Sequence, residues 1–156
     1  MADFRKTLET GLGLGLSAAS IITASRGRHV AVDPFQSDYD NCGLRNLERL
    51  GLAGELEFYA DFSHSVLPRL LNEGRSFGFI FIDGNHRFEG QLVDFYYASL
   101  LIEQGGMIVL HDTWMRPTTY LVNYIKTNRR DFQHVAQGPR NIAAFRKSGD
   151  DRRNWM

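Results

Sequence analysis

No disulfide can form within this chain, because Cys42 is its only cysteine. That excludes a small scaffold stapled by cross-links, and it excludes a four-cysteine zinc site. Lysine is scarce as well: Lys6, Lys126 and Lys147 are the only ones, so arginine carries most of the positive charge. Eighteen basic and eighteen acidic residues cancel to a formal net charge of zero. No global basic field is therefore available to hold nucleic acid irrespective of its sequence, and a highly charged membrane-surface protein is disfavoured. No apolar run reaches the roughly 20 residues that a membrane span needs. Met1 to Thr10 is polar and lacks the apolar segment of a signal peptide. These absences lead us to expect a soluble cytoplasmic protein with neither a nucleic-acid nor a membrane partner.

What is present suits one globular domain. The 156 residues are 43% apolar and 23% charged, enough to bury a single core. Residues 1–147 read as that core, and 148–156 as a polar, frayed tail. Short apolar runs recur at Thr7–Thr10, Arg28–Val32, Glu55–Ala60, Phe77–Ile82 and Met107–Leu110, the last entered through a turn at Gly105-Gly106. Continuous apolar runs fit parallel strands covered on both faces. Helical patterns lie between them: Ser17–Ala24, Val66–Leu71, Gln91–Glu103 and Tyr120–Thr127. In Gln91–Glu103 the residues Leu92, Phe95, Tyr96 and Leu100 form one stripe. Phe95, Tyr96 and Tyr97 read as core that covers the sheet. The alternation predicts an α/β fold with a parallel sheet. Phe132–Ala136 and Asn141–Phe145 flank Gln137-Gly138-Pro139-Arg140 and read as an antiparallel hairpin. The expected architecture is a Rossmann-like, doubly wound, mostly parallel seven-stranded sheet that ends in that hairpin.

In open α/β sheets, ligands sit beyond the carboxyl ends of the strands. The first strand runs into Gly11-Leu12-Gly13-Leu14-Gly15, which allows a sharp turn and a close backbone approach before a helix N-terminus. Leu16 breaks the dinucleotide pattern G-x-G-x-x-G. Asp33 ends the second strand, where a carboxylate can accept ribose hydroxyls or cap a turn beside Pro34. The glycine turn and Asp33 together indicate a nucleoside ligand without separating NAD from S-adenosylmethionine. Asp61, Phe62 and Ser63 follow the third strand and can meet a base, or cap the next helix. Asp83-Gly84-Asn85-His86 follows the fourth. There His86 can serve as a general base beside Asp83. His111-Asp112-Thr113 follows the fifth, and Asp83 with Asp112 could share an oxygen-ligated divalent cation. Strand alternation is expected to point His111 away from the crevice. His29, His64 and His134 read as surface or packing residues.

These motifs together resemble a class I S-adenosylmethionine-dependent methyltransferase. They are Leu8-Glu9-Thr10-Gly11-x-Gly13-x-Gly15-x-Ser17, Val32-Asp33-Pro34-Phe35, Phe81-Ile82-Asp83-Gly84-Asn85-His86 and Gly105-Gly106 through His111-Asp112. The likeness is to the small-molecule O-methyltransferase group that includes catechol O-methyltransferase relatives and bacterial D-G-x-H proteins, and it extends over Leu8–Phe145. It implies methyl transfer from S-adenosylmethionine to a hydroxyl of a small acceptor. Glu9, Gly11, Gly13, Gly15 and Ser17 would surround the methionine part of the cofactor. Asp33 would hold the ribose, Asp61, Phe62 and Ser63 would lie near adenine, and Asp83 would stand beside the amino group or a metal. Asp83 and Asp112 would hold a divalent cation such as magnesium. His86 stands where metal-dependent relatives carry a lysine, and Asp112-Thr113 would stand for their Asp-Asn pair. Such enzymes usually carry helices before the glycine-rich strand, and few residues precede it here, which leaves three expectations: an open site, a site closed by a partner subunit such as a second copy in a homo-oligomer, or a core that binds without catalysing. Two alternatives remain at this point: a cofactor-binding or interaction protein without turnover, and a nicotinamide-dependent oxidoreductase.

Overall fold

Strands such as Val30–Val32 and Phe79–Ile82 carry apolar side chains on both faces, and only a sheet covered on two sides can bury them. A computed structural model describes residues 2–135 and 140–154 and places these runs in one seven-stranded sheet. The elements in chain order are β1 (Lys6–Thr10), α1 (Leu16–Ser25), β2 (Arg28–Val32), α2 (Cys42–Arg49), β3 (Leu56–Tyr59), α3 (Ser63–Asn72) and β4 (Phe77–Ile82). They continue with α4 (Phe88–Leu101), β5 (Ile102–His111), α5 (Arg116–Asn128), β6 (Phe132–Val135) and β7 (Ile142–Lys147). The strand order is β3-β2-β1-β4-β5-β7-β6. Strands β1 to β5 are parallel, and β7 lies antiparallel between β5 and β6.

The order reverses beside β1, which pairs with β2 on one side and β4 on the other. That switch point is where the outgoing connections part and leave a crevice. Registry brings the strand ends level. Thr10 pairs with both Val32 and Ile82, Val32 with Tyr59, and Ile82 with Leu110. Asp33, Asp83 and His111 therefore emerge at one edge of the sheet.

Two layers of helix bury the two faces. Leu8, Val30, Ile80 and Ile108 pack with Val66, Leu70, Phe95, Leu121 and Ile125 from α3, α4 and α5. On the other face Ala31 packs with Ala18 and Ile22 of α1 and Leu47 of α2. Fully burying a side chain of this size stabilises by about 1.5–3 kcal/mol before entropy is counted. No helix among the described residues is long and apolar enough to cross a membrane.

Several details differ from the sequence reading. Gly105-Gly106 is not a turn. It lies inside β5, with Gly105 at φ 80° and a register shift against Phe77–Phe79, so the pair forms an irregularity within a longer strand. Helix α2 was not anticipated. It is only eight residues long, and only Gly43 and Leu47 of them are buried. Helix α5 starts at Arg116, with Pro117 in its first turn. Tyr96 is 55% exposed, although Phe95 is core. The described part of the tail makes contacts with the core. Ser148 N–H donates to the Asp131 carbonyl, and Arg153 donates to the Tyr124 hydroxyl. Ala136 and the turn residues Gln137, Gly138 and Pro139 lie outside the described residues.

Candidate active site

The glycine turn is built around one carboxylate. Asp33 Oδ2 accepts hydrogen bonds from the Leu12 and Gly13 amides at 3.0 and 2.9 Å and from Gln36 Nε2 at 3.0 Å. Its Oδ1 accepts the Phe35 amide at 2.8 Å. Donors converging on an anion are the strong kind of hydrogen bond. Asp33 thus pins the turn from below, and it is 5% exposed. Gly11 sits at φ 87°, where a Cβ would stand 2.5 Å from the Asp83 carbonyl oxygen. Only glycine lets the ends of β1 and β4 approach so closely. The first turn of α1 has no capping side chain and no acid, which leaves backbone N–H groups facing the crevice. Gly13 is exposed, Ser17 is half-buried, and Gly15 forms the N-cap at φ 79°.

Glu9 does not line this crevice. It is fully buried within the sheet, and its Oε1 lies 3.4 Å from Nε2 of an equally buried His29. The other nitrogen of His29 meets the Thr7 hydroxyl at 2.8 Å. The pair supports β1 from inside. As an odd-numbered β1 residue, Glu9 points to the α1 side of the sheet.

Beyond β3, Asp61 and Phe62 are exposed and Ser63 opens α3. Asp61 accepts the amide of Phe62 at 2.7 Å and does not cap the helix. The Phe62 ring stacks on His64 at 5.3 Å and meets Phe35 edge-on at 5.9 Å. Behind this edge, Asp94 of α4 is buried, and among the described residues neither carboxylate oxygen has a hydrogen-bond partner. Burial holds its pKa above the ordinary carboxylate value, against the smaller opposing influence of the Ser63 and Thr10 hydroxyls.

The ends of β4 and β5 bring four titratable groups together. His111 Nδ1 lies 2.9 Å from Asp83 Oδ1 and 3.3 Å from Asp112 Oδ1. Asn141, at the start of β7, donates through Nδ2 to Asp112 Oδ1 at 3.0 Å, with His111 Nε2 3.2 Å away. A donor facing Nε2 leaves the ring proton on Nδ1, directed at Asp83; we assign this tautomer from the hydrogen-bond network. Trp114 Nε1 donates to Asp112 Oδ1 at 3.0 Å. His86 Nε2 lies 3.7 Å from Asp112 Oδ2. The two carboxylates are pushed apart electrostatically. Burial raises the Asp83 pKa, and Asp112 adds to the rise while His111 opposes it. Burial pushes Asp112 upward too, but hydrogen bonds from Asn141 and Trp114 outweigh it, and its pKa ends below the ordinary value.

His111 is therefore in the site, contrary to the expectation that alternation would turn it away. Asp112 has φ 53°, and this left-handed residue breaks the strand's alternation just where the side chains converge. The adjacent pair at the cluster is His111-Asp112, not Asp112-Thr113. The Thr113 hydroxyl instead donates to the Arg140 carbonyl. Asn141 was missed, because nothing in the sequence near it signals that β7 ends beside β5. Asp83, His86 and Asp112 each offer one ligand atom, all within 4.8 Å of one another, a spacing that fits a divalent cation.

Residues 8–113 match the family described as a methyltransferase domain. A caffeoyl-CoA O-methyltransferase of Nicotiana tabacum is 28% identical over 122 residues, covering 72% of this chain and 48% of that protein. A caffeoyl-CoA O-methyltransferase of Petunia hybrida is related to the same degree. The chain spans about half the length of the curated relatives it matches. Among solved structures, an O-methyltransferase from Streptomyces achromogenes in complex with SAM superposes with a TM-score of 0.77 at 19% identity, covering 93% of this chain and 74% of that one. An O-methyltransferase from Bacillus cereus in complex with SAH gives 0.72 at 20% identity, covering 92% and 74%. At such identities the likeness speaks for the fold.

Proposed function

This chain belongs to the methyltransferase-domain family, and from that premise we propose that it transfers a methyl group from S-adenosylmethionine to a hydroxyl of a small acceptor. The observation that carries this reading is the glycine turn locked onto Asp33 at the switch point, next to the cluster of Asp83, His86, His111 and Asp112. A plain nicotinamide site accounts for the turn but not for the cluster or the reversed β7.

The turn fits the cofactor. Gly13 has open space where a side chain would stand, and the first amides of α1 lack caps. Gly11, Gly13, Gly15 and Ser17 would hold the methionine part. Asp33 Oδ1 carries a single hydrogen bond and keeps a lone pair for a ribose hydroxyl. Phe62, with Asp61 and Ser63, would flank the adenine. When bound, the cofactor supplies an activated methyl on a positively charged sulfonium. The protein's part is then to orient the acceptor and remove its proton. His86 is 42% exposed at the mouth of the cluster and is the group placed to accept that proton. Asp83 and Asp112, with His86 near them, would hold a divalent cation, which would lower the hydroxyl pKa. His111 orients Asp83 through its Nδ1–H.

The lack of a second cysteine for a disulfide agrees with a cytoplasmic setting. The test is methyl transfer from labelled S-adenosylmethionine to a panel of hydroxylated aromatic acceptors. Transfer that Asp33→Ala and Asp83→Asn each abolish supports the reading. Tight cofactor binding with no transfer to any acceptor would instead make this a binding protein.

A further inference from the structure

Glutamine is seldom fully buried, yet Gln36 is 1% exposed. It opens one turn of 3-10 helix, Gln36–Tyr39, three residues beyond Asp33. A buried amide must find partners for both of its ends, and this one does. Its Nε2 donates to the Gly13 carbonyl at 2.8 Å and to Asp33 Oδ2 at 3.0 Å. Its Oε1 accepts the Gly43 amide at 3.2 Å. Two acceptors at one end and a donor at the other assign the orientation of the side chain. Glutamate would lack the donors, and asparagine is one methylene shorter. The side chain thus knits three separate pieces: the glycine turn, the acid at the end of β2 and the start of α2.

The consequence falls on Asp33. A carboxylate has about four acceptor sites. Oδ2 takes three donors, from Leu12, Gly13 and Gln36, while Oδ1 takes the Phe35 amide alone. That asymmetry fixes the rotation of the carboxylate and leaves Oδ1 as the oxygen with capacity to spare. The Leu12 and Gly13 amides hold Oδ2 only while the turn keeps its shape. Gly13 sits at φ 51° with open space around it, so its own backbone does not lock that shape. Gln36 supplies the lock, because one nitrogen binds both the Gly13 carbonyl and Asp33. From the far side α2 abuts the same point: a Cβ on Gly43 would stand 2.4 Å from the Gly13 carbonyl oxygen and 2.9 Å from Gln36 Oε1. A second tie joins α2 to the turn without touching Asp33, from Asn46 Nδ2 to the Leu14 carbonyl at 3.0 Å.

We infer that Gln36 is a positioning residue for the cofactor: its amide sets which Asp33 oxygen faces the crevice, and through Asp33 it sets the strength of the ribose contact. This rests on the methyl-transfer reading above, in which Asp33 meets the ribose, and it adds a residue that makes no contact with the ligand itself.

The test is calorimetric titration of the full chain with two probes, S-adenosylhomocysteine and its 2′,3′-dideoxy analogue, which lacks both ribose hydroxyls. The ratio of the two affinities reads the contact between Asp33 and the ribose, whereas a general loosening of the fold weakens both probes alike. The parent should prefer S-adenosylhomocysteine by about tenfold or more, the scale of a charge-assisted hydrogen bond. Gln36→Leu should reduce that preference to about threefold or less. Gln36→Glu keeps the shape but removes the donors, and it should do the same; it decides the matter if Gln36→Leu fails to fold. Asn46→Ala removes the other tie between α2 and the turn, and it should leave the ratio as in the parent. A ratio that survives both Gln36 variants, or that falls equally in Asn46→Ala, overturns the inference. So does a parent ratio near one with S-adenosylhomocysteine still bound, which would take the ribose from Asp33 and leave methyl transfer standing. Failure of S-adenosylhomocysteine itself to bind would overturn the methyl-transfer reading, so the two failures are distinguishable.

Discussion

His111 Nδ1 lies 2.9 Å from Asp83 Oδ1, and this contact joins the ends of two neighbouring parallel strands. It fixes the Asp83 carboxylate against the ring, while His86 stands half-exposed at the mouth of the cluster, 3.7 Å from Asp112 Oδ2. The roles should separate in kinetics. His86→Ala at saturating cofactor should lower kcat by about a hundredfold, the scale of a lost general base. His111→Ala, which acts through Asp83, should cost about tenfold, a small displacement of a group that positions the reactants. Turnover unchanged in His86→Ala would remove it from the proton transfer.

Asp33 is expected to be structural and ligand-binding at once. Asp33→Ala strands the Leu12, Gly13 and Phe35 amides and the Gln36 side chain. Denaturant unfolding should show a loss of about 2–4 kcal/mol. Asp33→Asn, which keeps one acceptor oxygen, should lose less.

Asp94 gives the pH dependence. Burial raises its folded-state pKa above 3.8, so the folded protein holds that proton more tightly than the unfolded chain. Its contribution to stability is complete below about pH 4 and is lost as pH rises through the folded value. Asp94→Asn should therefore be more stable than the parent by about 1–2 kcal/mol at pH 7. The gap should close toward pH 4, as read from unfolding curves taken across that range.

Gly11 and Gly51 both have positive φ, but only Gly11 has a neighbour where a Cβ would go. Gly51→Ala should cost about 1 kcal/mol for the left-handed backbone alone. Gly11→Ala should cost more than about 3 kcal/mol, because the ends of β1 and β4 must separate. Thermal unfolding of the two variants side by side checks this.

Strands Arg28–Val32 and Phe77–Ile82 were legible in the sequence to the residue, because a continuous apolar run between polar turns has few other uses. Asp33, Asp83 and Asp112 were legible because strand ends are where polar side chains gather in such sheets. What escaped depended on tertiary geometry. Asp112 joins His111 in the cluster because it adopts a left-handed conformation just after the strand, and Asn141 reaches the site only through the pairing of β7 with β5. Buried polar residues were equally hidden. Glu9 with His29, and Arg129 with Asp131, carry no pattern that separates them from surface charge until the chain is folded.

Everything proposed for the site depends on whether the turn held by Asp33 binds S-adenosylmethionine. The most direct test is calorimetric titration of the purified chain with S-adenosylhomocysteine, with NAD as the control ligand. Saturable binding of S-adenosylhomocysteine alone is expected, lost in Asp33→Ala variants that remain folded. Binding of NAD in its place, or of neither ligand, would contradict it.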